Sequence, residues 1–69
     1  MEKVLDPFEI GALILDMPEV TRSRLADQIR KFKQRPEIIV RGGKYSARWT
    51  VNGVVVDVHL EMEDSYASN

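Results

Sequence analysis

Two runs of alternating polar and apolar residues, 44–51 and 54–62, flank the dipeptide Asn52-Gly53. β-Branched and aromatic residues are common in both runs, and a period of two is typical of strands with one buried face. Asn-Gly is the preferred sequence for a type I′ turn because both central positions need a positive φ. The pattern therefore predicts a β-hairpin over residues 44–62 that turns at Asn52-Gly53.

The two-residue turn sets the register of this hairpin, because Val51 must then face Val54. One face carries only apolar and aromatic residues, namely Tyr45, Ala47, Trp49, Val51, Val54, Val56, Val58 and Leu60. The other face pairs Arg48 with Asp57, Ser46 with His59, Lys44 with Glu61 and Thr50 with Val55. Two pairs of opposite charge support this register. We expect Trp49 and Tyr45 to lie in the core rather than at an interface.

A third apolar run, residues 37–41, is separated from the hairpin by Gly42-Gly43. If these glycines form a second two-residue turn, Ile38 and Val40 join the apolar face and Ile39 points outward. The pattern then predicts an α+β fold in which two helices pack on one face of a two- or three-stranded antiparallel β-meander, in the order ααβββ. Residues 1–5 are interpreted as an irregular lead-in.

The first helix is predicted from Pro7 to about Asp16. Asp6 is a good capping residue, and proline is favoured at the first helical position. The helix must end near Asp16 because the next residue precedes Pro18 and is pushed out of helical geometry. One of its faces carries three apolar residues in helical spacing, Phe8, Ala12 and Leu15. Such a short apolar helix needs a partner surface.

The second helix is predicted to begin between Pro18 and Thr21 and to run to about Gln34. Its apolar positions Leu25, Ile29 and Phe32 follow the i, i+4, i+7 spacing of an amphipathic helix. Basic residues crowd its C-terminal end, where they favour the negative end of the helix dipole. Pro36 prevents continuation.

The length of 69 residues and the absence of cysteine limit the architecture. We expect a single α+β domain over residues 1–62 and a disordered polar tail over 63–69. A core of this size is marginal, so we also expect a homodimer. With no cysteine and one histidine, no metal site or cofactor is expected. The longest apolar run has six residues, far short of the roughly 20 of a membrane span. A cytoplasmic protein without membrane contact is therefore expected.

The net charge of −1 conceals a strong segregation of charge along the chain. Residues 1–21 carry one base and five acids, residues 22–48 nine bases and two acids, and residues 49–69 four acids and no Lys or Arg. A basic middle between acidic ends can attract an acidic protein surface, nucleic acid or a second copy of the chain.

The sequence contains no catalytic motif. His59 is the only candidate general base, and its predicted position is on the solvent face of a strand, opposite Ser46. No nucleophile-elbow sequence surrounds any serine. We therefore expect a protein that is not an enzyme.

Protein–protein recognition is the leading hypothesis. The predicted last strand is a long, valine-rich sheet edge without proline or lysine, and such edges are normally covered by another strand. Ile39 and Val55, on the polar face, are candidates for a small apolar patch. The candidate contact residues are Arg22, Arg24, Arg30, Lys31 and Arg48 for acidic surfaces, and Val55, Asp57 and His59 on the outer sheet face.

The alternative is a small DNA-binding transcriptional regulator with a winged-helix-like layout. The segment Ser23–Phe32 resembles the first helix of a helix-turn-helix, and the hairpin that follows is in the position of a wing. Pro36 and the next strand leave no room for a recognition helix after residue 34. If the helix over residues 7–16 is counted as the first helix of the motif, the second predicted helix would read the DNA. Arg22 and Arg24 lie near its N-terminal end.

In length and layout the chain resembles small phage-encoded host-takeover proteins, and it is similar to the phage quorum-sensing anti-activators. The stretches that carry the resemblance are DPFEIGALILD, VTRSRLADQIRKF and ARWTVNGVVVDV. The resemblance implies a dimer in the host cytoplasm that blocks a LuxR-type transcription activator and a type IV pilus ATPase. It implies inhibition of a larger host regulatory protein, and it assigns no role to an individual residue.

Overall fold

Four antiparallel strands and two helices make up the fold in the computed structural model, which describes residues 1–62. The elements follow in the order β1 (Glu2–Val4), α1 (Pro7–Asp16), α2 (Glu19–Phe32), β2 (Glu37–Arg41), β3 (Lys44–Val51) and β4 (Val54–Leu60). The strands lie side by side in the order β1-β2-β3-β4. The predicted α+β class is confirmed. The predicted tail, residues 63–69, lies outside the described residues.

The number of strands differs from the prediction of two or three, because residues 2–4 form β1 instead of an irregular lead-in. Glu2 lies opposite Arg41 and Val4 opposite Ile39, in antiparallel register with β2. The backbone N–H of Leu5 donates to the carbonyl of Ile38 over 2.8 Å. A strand of three residues is too short to show alternation, so contacts distant in sequence decide it.

The predicted hairpin register is confirmed between β3 and β4, from the pair Val51 and Val54 to the pair Tyr45 and Leu60. Asn52 and Gly53 have φ of 52° and 79°, the two positive values that a type I′ turn requires. Gly42-Gly43 forms the second predicted two-residue turn.

The far end of the hairpin differs from the prediction. β4 ends at Leu60 rather than Met62. The Thr21 hydroxyl donates to the backbone carbonyl of Glu61 over 2.6 Å, which turns this carbonyl towards α2. The predicted ion pair of Lys44 with Glu61 is absent from the ion pairs of the described residues. The Glu61 carboxylate lies 3.7 Å from Nε2 of His59 instead.

Local signals account for the helix ends. The Asp6 side chain accepts from the backbone N–H of Glu9, and the Glu9 side chain accepts from the backbone N–H of Asp6, which completes a capping box. α2 begins directly after Pro18 and ends at Phe32, two residues before the predicted end. The next residue, Lys33, adopts the left-handed conformation that often terminates helices.

Both helices pack on the apolar face of the sheet, as predicted. The core consists of residues from α1, the segment after it, α2 and the three long strands, namely Leu13, Met17, Leu25, Ile38, Ala47, Trp49 and Leu60. Trp49 is 1% exposed, and its indole N–H donates to the carbonyl of Gln34 over 2.9 Å. Its ring centroid lies 4.9 Å from that of Phe32. Tyr45 is only partly buried.

The face that α1 turns to the core is not the face of Phe8, Ala12 and Leu15. The buried residue of α1 is Leu13, with Ile10 partly buried beside it. Leu13 follows Phe8 by five residues, which corresponds to a rotation of about 140° around the helix axis. The side chains of Leu13 and Ile10 therefore lie on the side of the helix opposite Phe8. The Phe8 face is left open to solvent.

Candidate functional site

A network of ion pairs crosses the outer face of the sheet and is centred on Arg48. Nε of Arg48 lies 2.8 Å from Oδ1 of Asp57, and Nη1 of Arg48 lies 3.1 Å from Oε2 of Glu2. Arg41 forms a further pair with Glu2. These hydrogen bonds hold the pKa of the Asp57 and Glu2 carboxyls below their ordinary values and raise the pKa of Arg48.

This network changes the expected role of Arg48. Arg48 is paired with both Asp57 and Glu2, so it does not present a free positive charge to an acidic partner, whereas the side chain of Asp57 remains 48% exposed. The pair Arg48–Asp57 was predicted from the register; the participation of Glu2 was not, because β1 was missed. The network therefore ties the N-terminal strand to the hairpin.

Ile39 lies beneath this network and is only 4% exposed. It points outward as predicted, but the charged residues around it line an open depression of about 220 Å³, with Glu2, Arg41 and Arg48 among them. Their aliphatic stems can cover an apolar side chain while the charged groups remain in water. The expectation of an apolar patch that combines Ile39 with Val55 is therefore wrong; Val55 alone is exposed.

β4 is the long outer edge of the sheet. Within residues 1–62, no strand pairs with its outer side. The side chains of Val55, Asp57 and His59 alternate along its polar face, and Val54, Val56 and Val58 along its apolar face. A groove of about 310 Å³ separates β4 from α2, so the helix does not fully cover the apolar side of this strand. Within the described residues, the predicted open edge is present.

The four basic candidates on α2 do not form one surface. Arg24 and Lys31 are seven residues apart and lie on one flank, whereas Arg22 lies on the opposite flank. Arg30 also lies away from Arg24, and it forms an ion pair with Asp27. The single basic face of a DNA-reading helix is thus not assembled on α2.

Sequence reasoning did not recognise the outward face of α1 as an exposed apolar surface. Phe8 is 87% exposed and Leu15 is 82% exposed. Gly11 and Ala12 lie between them, so the four residues follow the i, i+3, i+4, i+7 spacing. We call these four residues the α1 stripe. The same spacing was visible in the sequence, but spacing alone does not distinguish a core face from a binding face.

No protein-family model, curated protein or solved structure matches this chain. Among the described residues, no group of three or more acidic or histidine side chains is arranged to hold a metal ion. No helix in this part of the chain is long and apolar enough to cross a membrane.

Proposed function

We propose that this protein is non-catalytic and that it binds and inhibits a larger regulatory protein through the α1 stripe. The observation that carries the proposal is the exposure of Phe8 and Leu15 on a well-formed helix. A large aromatic and a large aliphatic side chain at helical spacing are the anchors of helix-in-groove recognition.

The stripe is pre-organised for binding. The capping box at Asp6 and Glu9 orders the first turn of α1, and the packing of Leu13 holds the opposite side of the helix against the core. A partner therefore does not need to order this helix on binding, which lowers the entropic cost of association. Burial of Phe8 and Leu15 contributes about 1.5–3 kcal/mol each.

The partner surface that fits the stripe is an apolar groove with a basic rim. Gly11 and Ala12 allow a groove wall to approach the middle of the helix closely. Asp16 is exposed and lies along one border of the stripe. Glu2 and Glu9 are already paired with Arg48 and Lys3, whereas Asp16 forms no ion pair among the described residues. Its charge attracts a basic rim and repels an acidic one.

The candidate target comes from the resemblance to quorum-sensing anti-activators and is a LuxR-type transcription activator. Binding to such a target is inhibitory when the stripe occupies a groove that the activator needs for its own contacts. This mode of action requires no catalytic residue in the chain.

The proposal is tested with a purified LuxR-type activator in a calorimetric binding experiment. We expect Phe8→Asp and Leu15→Asp each to weaken binding at least 10-fold, because about 1.4 kcal/mol corresponds to a factor of ten. Val20→Asp is the matched control, since Val20 is an exposed apolar residue of α2 outside the stripe. It should bind like the wild type.

An activator-dependent transcription reporter should show inhibition by the wild type and by Val20→Asp, and loss of inhibition with Phe8→Asp. Equal binding by Phe8→Asp and the wild type would refute the role of the stripe. Absence of any binding by the wild-type protein would refute the candidate target.

A further inference from the structure

The outer edge of β4, which no strand of residues 1–62 covers, offers a second docking surface that is independent of the α1 stripe. The turn at Asn52-Gly53 determines which backbone N–H and C=O groups of β4 point outward. In a type I′ turn the carbonyl of Val51 accepts from the N–H of Val54, so Val54, Val56 and Val58 point their backbone groups to β3. The backbone groups of Val55, Asp57 and His59 therefore point away from the sheet.

We infer that a second copy of this chain occupies this edge, with β4 pairing antiparallel to its counterpart about a two-fold axis at Val58. The two sheets then form one continuous eight-stranded sheet. Among the two-fold registers of this edge, the one centred on Val58 places Asp57 opposite His59 and sets no two like charges opposite each other.

In the register centred on Val58, Asp57 of each protomer lies opposite His59 of the other. Asp57 and His59 occupy the same face, two residues apart, so the two-fold axis between them generates this pair twice. Within each of these two pairs, the facing residues form two backbone hydrogen bonds through their outward N–H and C=O groups. Arg48 keeps Asp57 ionised, so the carboxylate is available as an acceptor for the facing imidazole.

The neighbouring registers are unfavourable. A centre at Asp57 places the two Asp57 carboxylates opposite each other, and a centre at His59 places Asp57 opposite Glu61. Like charges in directly opposed positions destabilise a strand pair. A centre at Val56 brings the turn residues Asn52 and Gly53 against the facing strand and shortens the pairing.

The apolar side of the edge supports the same register. Val58 then faces Val58 across the axis, and Val56 faces Leu60. Val56 and Val58 are only partly buried in the single chain, and Val58 lines the open groove between α2 and β4. The pairing therefore covers these apolar side chains with apolar side chains of the second copy.

The dimer leaves the α1 stripe free. α1 packs towards β2, where Ile10 and Ile14 share a groove of about 590 Å³ with Ile38. β2 is separated from β4 by β3, so the two-fold axis lies at the far edge of the sheet. Each dimer thus carries two separate α1 stripes.

Cysteine cross-linking of the full-length chain tests the register, because the wild type contains no cysteine. Residue 58 faces its own counterpart at a Cα separation of about 4.5 Å, which lies within the range of a disulfide. We expect Val58→Cys to oxidise to a covalent dimer. Val56→Cys is the matched control: it lies on the same face, but about 14 Å from its counterpart. It should remain uncross-linked.

Light scattering on the wild type should give about 16 kDa, twice the 7.9 kDa of one chain. His59→Pro removes the outward N–H of residue 59 and the imidazole that faces Asp57, but no hydrogen bond between β4 and β3. It should therefore lower the mass to that of one chain while the Trp49 fluorescence stays native. A wild-type mass of one chain at micromolar concentration would overturn the proposal. Cross-linking of Val56→Cys but not Val58→Cys would overturn the register, and cross-linking of Ala12→Cys instead would assign the dimer to the α1 stripe.

Discussion

The orientation of α1 is tested by comparing two alanine substitutions on opposite sides of the same helix. Leu13 is buried in the core cluster and Phe8 is exposed. Leucine-to-alanine changes in cores cost about 2–5 kcal/mol, and the position of Leu13 at the margin of a small core places it near the lower limit. We expect Leu13→Ala to lower the free energy of unfolding by about 2 kcal/mol.

Phe8→Ala should behave differently, although phenylalanine is the larger side chain. An exposed side chain contributes little packing, and alanine has the higher helix propensity, so the expected change is within about 0.5 kcal/mol of zero. A buried phenylalanine would cost about 3–5 kcal/mol on the same substitution. The two orientations of α1 therefore predict opposite orders of stability.

Urea denaturation followed by fluorescence measures both variants, because the one tryptophan, Trp49, is buried and reports loss of the core. A domain of this size is stable by only about 3–10 kcal/mol, so a loss of 2 kcal/mol is readily measured. All curves are recorded at one protein concentration, since the proposed dimer would stabilise the fold by mass action. A larger loss for Phe8→Ala than for Leu13→Ala would refute the orientation of α1.

Two further predictions concern the hairpin. Gly53→Ala should destabilise the protein by about 1 kcal/mol in the same assay. Gly53 has a φ of 79°, and a Cβ added there would meet no other atom, so the substitution adds only backbone strain. An unchanged midpoint of denaturation would contradict this prediction. The hydrogen bonds from Arg48 lower the pKa of Asp57 in the folded state. They therefore stabilise the folded protein fully at a pH above the ordinary carboxyl pKa of about 3.9. This stabilisation is lost as the pH falls through the lowered pKa. Asp57→Asn should therefore be less stable than the wild type at pH 7, and the difference should shrink between pH 4 and pH 2; a difference independent of pH would argue against the ion pair.

The hairpin and both glycine turns could be predicted because their signals are local. Asn52-Gly53 specifies a turn, the turn determines the register, and the register pairs Arg48 with Asp57. The start of α1 is equally local, since the capping box lies within four consecutive residues. Each of these features depends on neighbours in sequence and needs no knowledge of the rest of the chain.

The α1 stripe could not be recognised from the sequence because α1 is apolar on nearly every side. Its large apolar residues, Phe8, Ile10, Leu13, Ile14 and Leu15, surround the helix, so periodicity does not single out one face. The connections at the two ends of α1 determine which of its faces is buried. Leu5 is hydrogen-bonded to β2 before the helix begins, and Met17 is buried after it ends.

The sequence by itself determined the fold class, the hairpin register, the turns and the helix boundaries to within a few residues. Only the tertiary structure decided that residues 2–4 form a fourth strand, that Ile39 is covered by charged side chains, and that Phe8 and Leu15 face solvent. The physical reason is the range of the interactions. Turns and caps are stabilised by adjacent residues, whereas β1 depends on contacts with β2 and β3 more than 30 residues away. The orientation of α1 depends on its packing against residues of α2 and β2 that are likewise distant in sequence.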